Sequence, residues 1–131
     1  MAFGAGGALY LADTGNDRVR RIDGATRVIT TVATIRIAVA AAGAGDGGVY
    51  VTSGGDNRVY RIAPDGSVGV FAGNGRASSA GDGGPATAAS VHGPTHLATD
   101  GAGNVYVTEF ETGRIRRVDA AGRISTIVHR A

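Results

Sequence analysis

A stretch of fifteen residues occurs three times in this chain, and the copies align without a gap. Each copy has Tyr at its second place and Arg at its tenth and thirteenth places. A repeated unit at a period of several tens of residues is typical of solenoids and propellers. We therefore interpret the chain as a repeat protein. The copies are LYLADTGNDRVRRID at 9–23, VYVTSGGDNRVYRIA at 49–63 and VYVTEFETGRIRRVD at 105–119.

The composition limits the kind of protein that this chain can form. With 131 residues it has the length of one domain, with enough chain to bury a core. Its 23 glycines, 5% aromatic content and lack of Cys predict closely approaching backbones without disulfides or thiolate metal sites. The formal net charge of +2 is too small to indicate a polyanionic partner. The longest apolar run, residues 37–42, is too short for a membrane helix, and we expect no signal peptide.

Each copy of the repeat predicts a pair of β-strands within a module of four. Runs of β-branched and apolar residues alternate with turn-forming clusters, and Pro64-Asp65-Gly66 predicts a tight hairpin turn. A leading strand precedes each pair and a closing strand follows it. In the second module we place the leading strand at residues 35–39. The modules span residues 1–33, 34–72 and 94–131, and the aperiodic Gly, Ala, Ser and Pro of residues 73–93 predict a long loop.

Four-stranded modules at this period are typical of a β-propeller, in which each module is one blade. The stretch GDGGPATAASVHGPTHLATDGAGNVYVTEFETGRIRRVD, residues 81–119, resembles the NHL repeat of many bacterial proteins. The resemblance implies an all-β fold of NHL-type propeller blades, commonly six in a closed ring. Three four-stranded antiparallel blades are half of such a ring. The other half is expected to come from the missing blades of a longer parent chain or from a homodimer that closes the ring.

The loops at one end of these blades form a candidate binding rim. In an antiparallel meander, the turn between strands two and three lies at the same end as the connection to the next blade. The turns at 13–17, 53–57 and 109–113 therefore share this rim with loop 73–93, and such loops often carry binding. Asx turns and ion pairs within the fold are the alternative use of their polar side chains. We expect a protein or small-molecule ligand to contact Asp13, Asp17, Arg18, Asp56, Arg58, Glu109, Phe110, Glu111 and Arg114.

Histidines provide the weakest of the candidate sites. His92 and His96 flank the entry to the leading strand of the third module. Some propeller lyases of similar repeat type hold a metal near the channel with histidines, but no matching motif is present here. The acidic residues also lack the spacing of a calcium loop. We therefore predict no cofactor and no catalytic residue, with zinc or calcium as the alternative.

The pattern as a whole predicts a non-catalytic propeller that binds or senses a ligand. The resemblance includes secreted proteins and sensor domains of membrane kinases, so it implies an extracytoplasmic location. One alternative is a propeller lyase or hydrolase with a metal-assisted site at the channel mouth. Another is an RNA-binding NHL domain, which the sequence disfavours because Phe110 is the one aromatic residue of the rim turns and acidic residues dilute the arginines.

Overall fold

The chain folds into three four-stranded antiparallel sheets, and the predicted all-β propeller class is confirmed. A computed structural model describes residues 1–129, with the side chain at position 5 excepted. In this part of the chain, no helix has the length and apolar character needed to cross a membrane. Two 3₁₀ turns lie at Ala5–Gly7 and Thr14–Asn16. The strands are β1 (Ala2–Phe3), β2 (Leu9–Asp13), β3 (Arg18–Ile22), β4 (Ile29–Thr34), β5 (Ala38–Gly43), β6 (Val49–Ser53), β7 (Arg58–Ile62), β8 (Val68–Ala72), β9 (Pro94–Thr99), β10 (Val105–Glu109), β11 (Arg114–Val118) and β12 (Ile124–His129).

Each sheet is a meander of four consecutive strands, and we call the sheets blades 1, 2 and 3. The strands pair in chain order as β1 to β4, β5 to β8 and β9 to β12, and all pairs are antiparallel. The two middle strands of blade 3 keep an unbroken register, with Val105 opposite Val118 and Val107 opposite Arg116. Side chains alternate between the two faces of a strand. Each blade therefore presents one face to the preceding blade and the other face to the following blade.

The blades pack face to face through two apolar cores. Val19, Val49 and Val51 lie in the core between blades 1 and 2, and Val59 and Val107 lie in the core between blades 2 and 3. All five side chains are fully buried, and complete burial of a valine stabilises a fold by about 1.5–3 kcal/mol. The first strands β1, β5 and β9 lie next to one another. This arrangement is that of blades stacked around an axis, with their first strands innermost.

The predicted position of the leading strand in the second module is wrong. The structure places β5 at Ala38–Gly43, three residues further along than residues 35–39. Ile35 is buried between blades 1 and 2, and its N–H donates to the carbonyl of Asp17 at 3.0 Å. Ile37 has a left-handed backbone with φ of 48°, which an extended strand does not accommodate. Residues 35–37 therefore form the connection between the blades, and the strand begins after them.

The long loop of residues 73–93 folds back over blade 3. Its residue Gly83 donates to the carbonyl of Ile124 at 2.7 Å, and Ala86 donates to that of Gly122 at 2.8 Å. Ala86 and Val91 are buried in the core between blades 2 and 3. The loop is thus a packed wedge between two blades, which small side chains make possible because they fit where the sheets approach closely.

Aspartates at two outer turns accept hydrogen bonds from the turns in which they lie. The Asp23 carboxylate accepts the backbone N–H groups of Thr26 and Ala25. The Asp100 carboxylate accepts the side-chain and backbone N–H groups of Asn104. These hydrogen bonds lower the pKa of Asp23 and the pKa of Asp100 to about 2. The ionised carboxylate is therefore the form that stabilises each turn.

We expect the stability of the fold to fall as the pH decreases from about 4 to about 2. In an unfolded chain the pKa of Asp is about 3.9, and in the folded protein it is about 2 at both turns. Stabilisation is complete above the unfolded pKa and is lost as the pH falls through the folded pKa. Urea denaturation across this range should show the slope, and a variant with Asp23→Asn and Asp100→Asn should show a smaller one. Equal slopes in the two proteins would assign the acid sensitivity to other groups.

Candidate functional site

The turns between the two middle strands of each blade share a left-handed residue. It is Asp17 with φ of 54°, Asn57 with φ of 52° and Gly113 with φ of 67°. Asp and Asn tolerate this backbone region better than other residues with a side chain. The Asp17 carboxylate accepts the N–H of Ile37 at 2.8 Å, and the Asn57 amide oxygen accepts that of Gly93 at 2.9 Å. Asp17, predicted as a ligand contact, thus fixes the rim turn of blade 1 to the connection into blade 2.

Other predicted rim residues also pair with neighbours in the fold. Asp13 and Arg18 form an ion pair of 3.3 Å, with both side chains about one-third exposed. Asp56 accepts the Tyr60 hydroxyl at 2.9 Å, and partial burial together with this hydrogen bond raises the pKa of Tyr60. Arg58 donates to a backbone carbonyl of loop 73–93 at 3.2 Å. These side chains hold the rim together, and a ligand would compete with those contacts.

Glu109, predicted as a ligand contact, takes part in a buried network of the fold. Its side chain is fully buried. One carboxylate oxygen accepts the backbone N–H of His92 at 2.6 Å, and the other accepts the Ser79 hydroxyl at 2.7 Å. Arg116, itself fully buried, lies 3.3 Å from the same carboxylate. Burial of Glu109 is possible because its charge is both paired and hydrogen-bonded.

Arg116 is the centre of this buried network and ties loop 73–93 to blade 3. Its guanidinium donates to the carbonyls of Ser90 at 3.0 Å and Ala80 at 3.2 Å, and to the Asp82 carboxylate at 2.9 Å. Asp82 also accepts the hydroxyl of Thr126 at 2.7 Å. Desolvation acts in the opposite direction, but the hydrogen bond from Thr126 and the charge of Arg116 hold the pKa of Asp82 below its ordinary value. The ion pairs of Arg116 with Glu109 and Asp82 therefore fix the start of the rim turn that follows β10.

The sequence reasoning did not select Arg116 or Asp82. It selected the arginines at the tenth and thirteenth places because those occur in all three copies. Arg116 occupies the twelfth place, which is Arg20 in the first copy and Tyr60 in the second. The sequence does hold one indication that the twelfth place matters. The third copy, which follows the long loop, has Arg there, whereas the second copy, which follows the short connection, has Tyr.

The remaining predicted residues lie around an open groove on the free face of blade 3. Phe110 and Glu111 are exposed in the turn after β10, and 73% of the Phe110 surface is accessible. Arg114 follows at the start of β11 and also donates to the carbonyl of Ser79 at 3.1 Å. The groove has a volume of about 440 Å³, and we call it the blade 3 groove. It is lined by Thr108, Glu109, Phe110, Glu111, Gly113, Arg114, Ile115 and Val128.

Comparison with known protein families tests the resemblance that the repeats indicated. A family model for the teneurin NHL domain matches residues 1–131. The chain belongs to the teneurin NHL domain family. The NHL assignment made from the repeats is confirmed. No curated protein sequence matches this NHL domain.

Solved structures share the propeller fold with this NHL domain at low sequence identity. A protein of unknown function from Bacteroides thetaiotaomicron VPI-5482 is 22% identical with a TM-score of 0.77, over 99% of this chain and 35% of that one. Virginiamycin B lyase from Staphylococcus aureus is 17% identical with a TM-score of 0.71, over 99% and 40% of the two chains. A chain of a nidogen/laminin complex is 18% identical with a TM-score of 0.68, over 98% and 46%. The NHL domain thus spans less than half the length of these chains, and the likeness shows the fold alone.

His92 and His96 make separate contacts with other residues. His92 is half-buried and donates its backbone N–H to Glu109. His96 is exposed on β9, with a ring nitrogen 3.2 Å from the Thr95 hydroxyl. Among residues 1–129, no group of three or more His, Cys, Asp or Glu side chains is arranged to hold a metal ion. The prediction of no cofactor, with zinc or calcium as the alternative and His92 and His96 as the weak candidates, stays untested.

Proposed function

We propose that this NHL domain is a non-catalytic binding module that takes a polypeptide segment into the blade 3 groove and against Phe110. Phe110 is a large apolar side chain that is exposed to solvent at the rim. Its neighbour Glu109 is fixed by the buried Arg116, so the turn needs little ordering when a partner binds. Preorganised aromatic residues of this kind are frequent energetic centres of protein interfaces.

The observation that carries the proposal is the counterpart of the groove on blade 2. The places of Gly113 and Ile115 are taken there by Asn57 and Val59. That counterpart is filled by polypeptide, since Gly93 donates to Asn57 and the chain beside it packs in the core with Val59. The repeat is therefore built to receive a chain segment at this place. On blade 3 none of residues 1–129 fills the same place.

The chemistry of the blade 3 groove indicates which segment would fit. Its apolar part is formed by Ile115 and Val128, of which Val128 is 50% exposed. Its edge carries Glu111 and Arg114, one charge of each sign. A segment with one apolar side chain for the floor and polar groups at its flanks matches this arrangement. The nidogen/laminin complex among the structural neighbours supports protein binding by a propeller of this fold, as an analogy.

We expect a photoreactive benzoylphenylalanine at position 110 to cross-link to a protein partner in an extract of the source organism. Val68 provides a matched control, because it is 45% exposed but lies on the outer strand β8 away from the rim. The same label at position 68 should give no such adduct. With the purified partner, Phe110→Ala should weaken the affinity at least tenfold, whereas Val68→Ala should change it less than twofold, as measured by calorimetry.

The control measurements separate binding from folding. Because Phe110 is exposed, Phe110→Ala should change the free energy of unfolding by no more than about 0.5 kcal/mol. Equal cross-linking from positions 110 and 68 would contradict a specific site. Adducts formed exclusively between copies of this chain would assign the groove to blade packing and refute the binding of another protein.

A further inference from the structure

Asn74 is the one asparagine of the sequence that is followed by glycine. The other three, Asn16, Asn57 and Asn104, are followed by Asp, Arg and Val. Asparagine is among the thermolabile residues of proteins, because the next backbone nitrogen can attack the carbon of its side-chain amide. A Cβ atom on the next residue crowds this approach, and glycine has none. The sequence therefore favours attack at Asn74 over the other three places.

The fold leaves the reacting groups of this pair accessible. Residues 74–78 are exposed at the start of loop 73–93. The Gly75 N–H donates a hydrogen bond to none of residues 1–129. At Asn16, which is also exposed, the next N–H belongs to Asp17 and donates to the carbonyl of Thr14 at 3.3 Å. The nitrogen that would attack is thus free at Asn74 and held at Asn16.

The side chain of Asn74 already lies over the peptide group that would attack it. Its Oδ1 atom accepts the backbone N–H of Arg76 at 3.0 Å. This contact forms an Asx turn, which folds the side chain back over the following peptide group, and the nitrogen of that group is the one of Gly75. Attack on the amide carbon would place negative charge on Oδ1. The Arg76 N–H then points at the developing oxyanion, where such a donor stabilises the transition state.

The charges around the pair act in the same direction. The Nη2 atom of Arg58 donates to the backbone carbonyl of Asn74 at 3.2 Å, and the Cβ position of Gly75 lies 3.1 Å from the same nitrogen. Arg76 adds a second guanidinium. Neither arginine forms an ion pair with an acidic side chain of residues 1–129. Their positive charges favour both the oxyanion and a carboxylate product.

We propose that Asn74 is a site of spontaneous deamidation in the folded protein, with water as the second reactant and aspartate and isoaspartate as the products. The Gly75 nitrogen bonds to the amide carbon of Asn74, and the bond from that carbon to Nδ2 breaks. Nδ2 leaves as ammonia and takes the proton of the Gly75 N–H. Water then opens the five-membered imide. Opening at the side-chain carbonyl gives isoaspartate or aspartate according to which of the two carbon–nitrogen bonds breaks: cleavage at the side-chain carbonyl restores the normal main chain, and cleavage at the backbone carbonyl routes the main chain through the side chain.

The conversion would loosen the outer part of loop 73–93. The Nδ2 atom of Asn74 donates to the carbonyl of Ala88 at 3.3 Å and so joins the outgoing and returning parts of the loop. A carboxylate cannot donate this bond. Isoaspartate also adds one main-chain carbon ahead of Gly75, which removes the Asx turn. Gly83 and Ala86 keep their hydrogen bonds to blade 3. The site lies outside the blade 3 groove, and the proposal is independent of the function proposed there.

Peptide mapping by mass spectrometry after incubation at mildly alkaline pH tests the proposal in the whole chain. Position 74 should gain one mass unit and become a substrate for an isoaspartate methyltransferase, while Asn16, Asn57 and Asn104 stay unchanged. The rate in the folded protein should lie within tenfold of the rate for the same chain in urea. Asn74→Gln should show no conversion, because its longer side chain would have to close a six-membered ring. A folded rate more than tenfold below the rate in urea, or equal conversion at Asn104, would overturn the proposal.

A charge variant separates the effect of the fold from that of the sequence. Arg58→Gln should slow the conversion at least twofold in the folded protein and leave the rate in urea unchanged. The matched control is Arg27→Gln, an exposed arginine of blade 1, which should leave both rates unchanged. An Arg58→Gln rate equal to that of the parent chain would overturn the assignment of the site to this environment.

Hydrogen exchange of the converted protein measures how far the change extends. The Arg76 amide should exchange at least tenfold faster in the isoaspartate form, because it has lost its acceptor. The Gly83 amide, which donates to the carbonyl of Ile124, should keep its protection. Loss of protection at both amides would refute a change confined to the outer part of the loop.

Discussion

Glu109→Ala is expected to lower the free energy of unfolding by about 3–5 kcal/mol, because it leaves the buried charge of Arg116 without its carboxylate. Both side chains are fully buried, and their charged atoms lie 3.3 Å apart. The substitution also removes the acceptor for the N–H of His92 and for the Ser79 hydroxyl. Urea denaturation monitored by far-ultraviolet circular dichroism measures the change. A loss of this size is a large part of the stability of a domain.

The matched control for Glu109→Ala is Asp13→Ala at the same place of the first copy. Asp13 pairs with Arg18 at the same 3.3 Å, but both side chains are about one-third exposed. An exposed pair contributes about 0–1 kcal/mol, so Asp13→Ala should have a much smaller effect. A loss of less than 1 kcal/mol for Glu109→Ala would show that the buried network does not hold the rim turn.

Replacing both charges together tests whether the uncompensated charge of Arg116 is the main cost of Glu109→Ala. A Glu109→Leu and Arg116→Met double variant leaves no buried charge unpaired, because the Asp82 carboxylate that also loses its partner is half-exposed, and such replacements are often close to neutral. The loop 73–93 would nevertheless lose its link from Asp82 to Arg116. We therefore expect the double variant to be more stable than Glu109→Ala, because in the single variant the uncompensated guanidinium is the main cost.

The repeats predicted the strands well because each strand is a local feature of the sequence. Apolar alternation in VYVTE buries every second side chain, and the turn residues between the β-favouring runs define the hairpins. The three sheets follow from this pattern with no knowledge of tertiary contacts. The stacking of the sheets followed from the family resemblance.

The buried network could not be predicted because its partners are far apart in the chain. Asp82 and Arg116 meet across a loop whose path is set by packing of Ala86 and Val91 between the blades. The alternation of β10 places Glu109 on the face of Val105 and Val107, but Asp13 holds the same place in the first copy and is about one-third exposed, so alternation alone does not predict the burial. The start of β5 was missed for a related reason: the left-handed backbone of Ile37 is stabilised by Asp17, which lies in another blade.

Gly73→Ala is expected to lower the free energy of unfolding by about 3 kcal/mol or more, because the site has neither the backbone angle nor the space for a side chain. Gly73 has φ of 96°, in the region that favours glycine. A Cβ atom there would lie 2.5 Å from the carbonyl oxygen of Asn57 and 2.9 Å from a methyl group of Val91. The oxygen belongs to the backbone of the rim turn, so relief of the overlap requires blade 2 and the loop to move apart.

Gly66→Ala separates the two causes of this loss. Gly66 has a similar φ of 90°, but a Cβ atom there would meet nothing within 4 Å. The backbone cost alone, about 1–2 kcal/mol, should remain at Gly66. The difference between the two variants in urea denaturation therefore measures how rigidly the loop is packed between blades 2 and 3. Equal losses would mean that the loop moves away from blade 2 without a cost in stability.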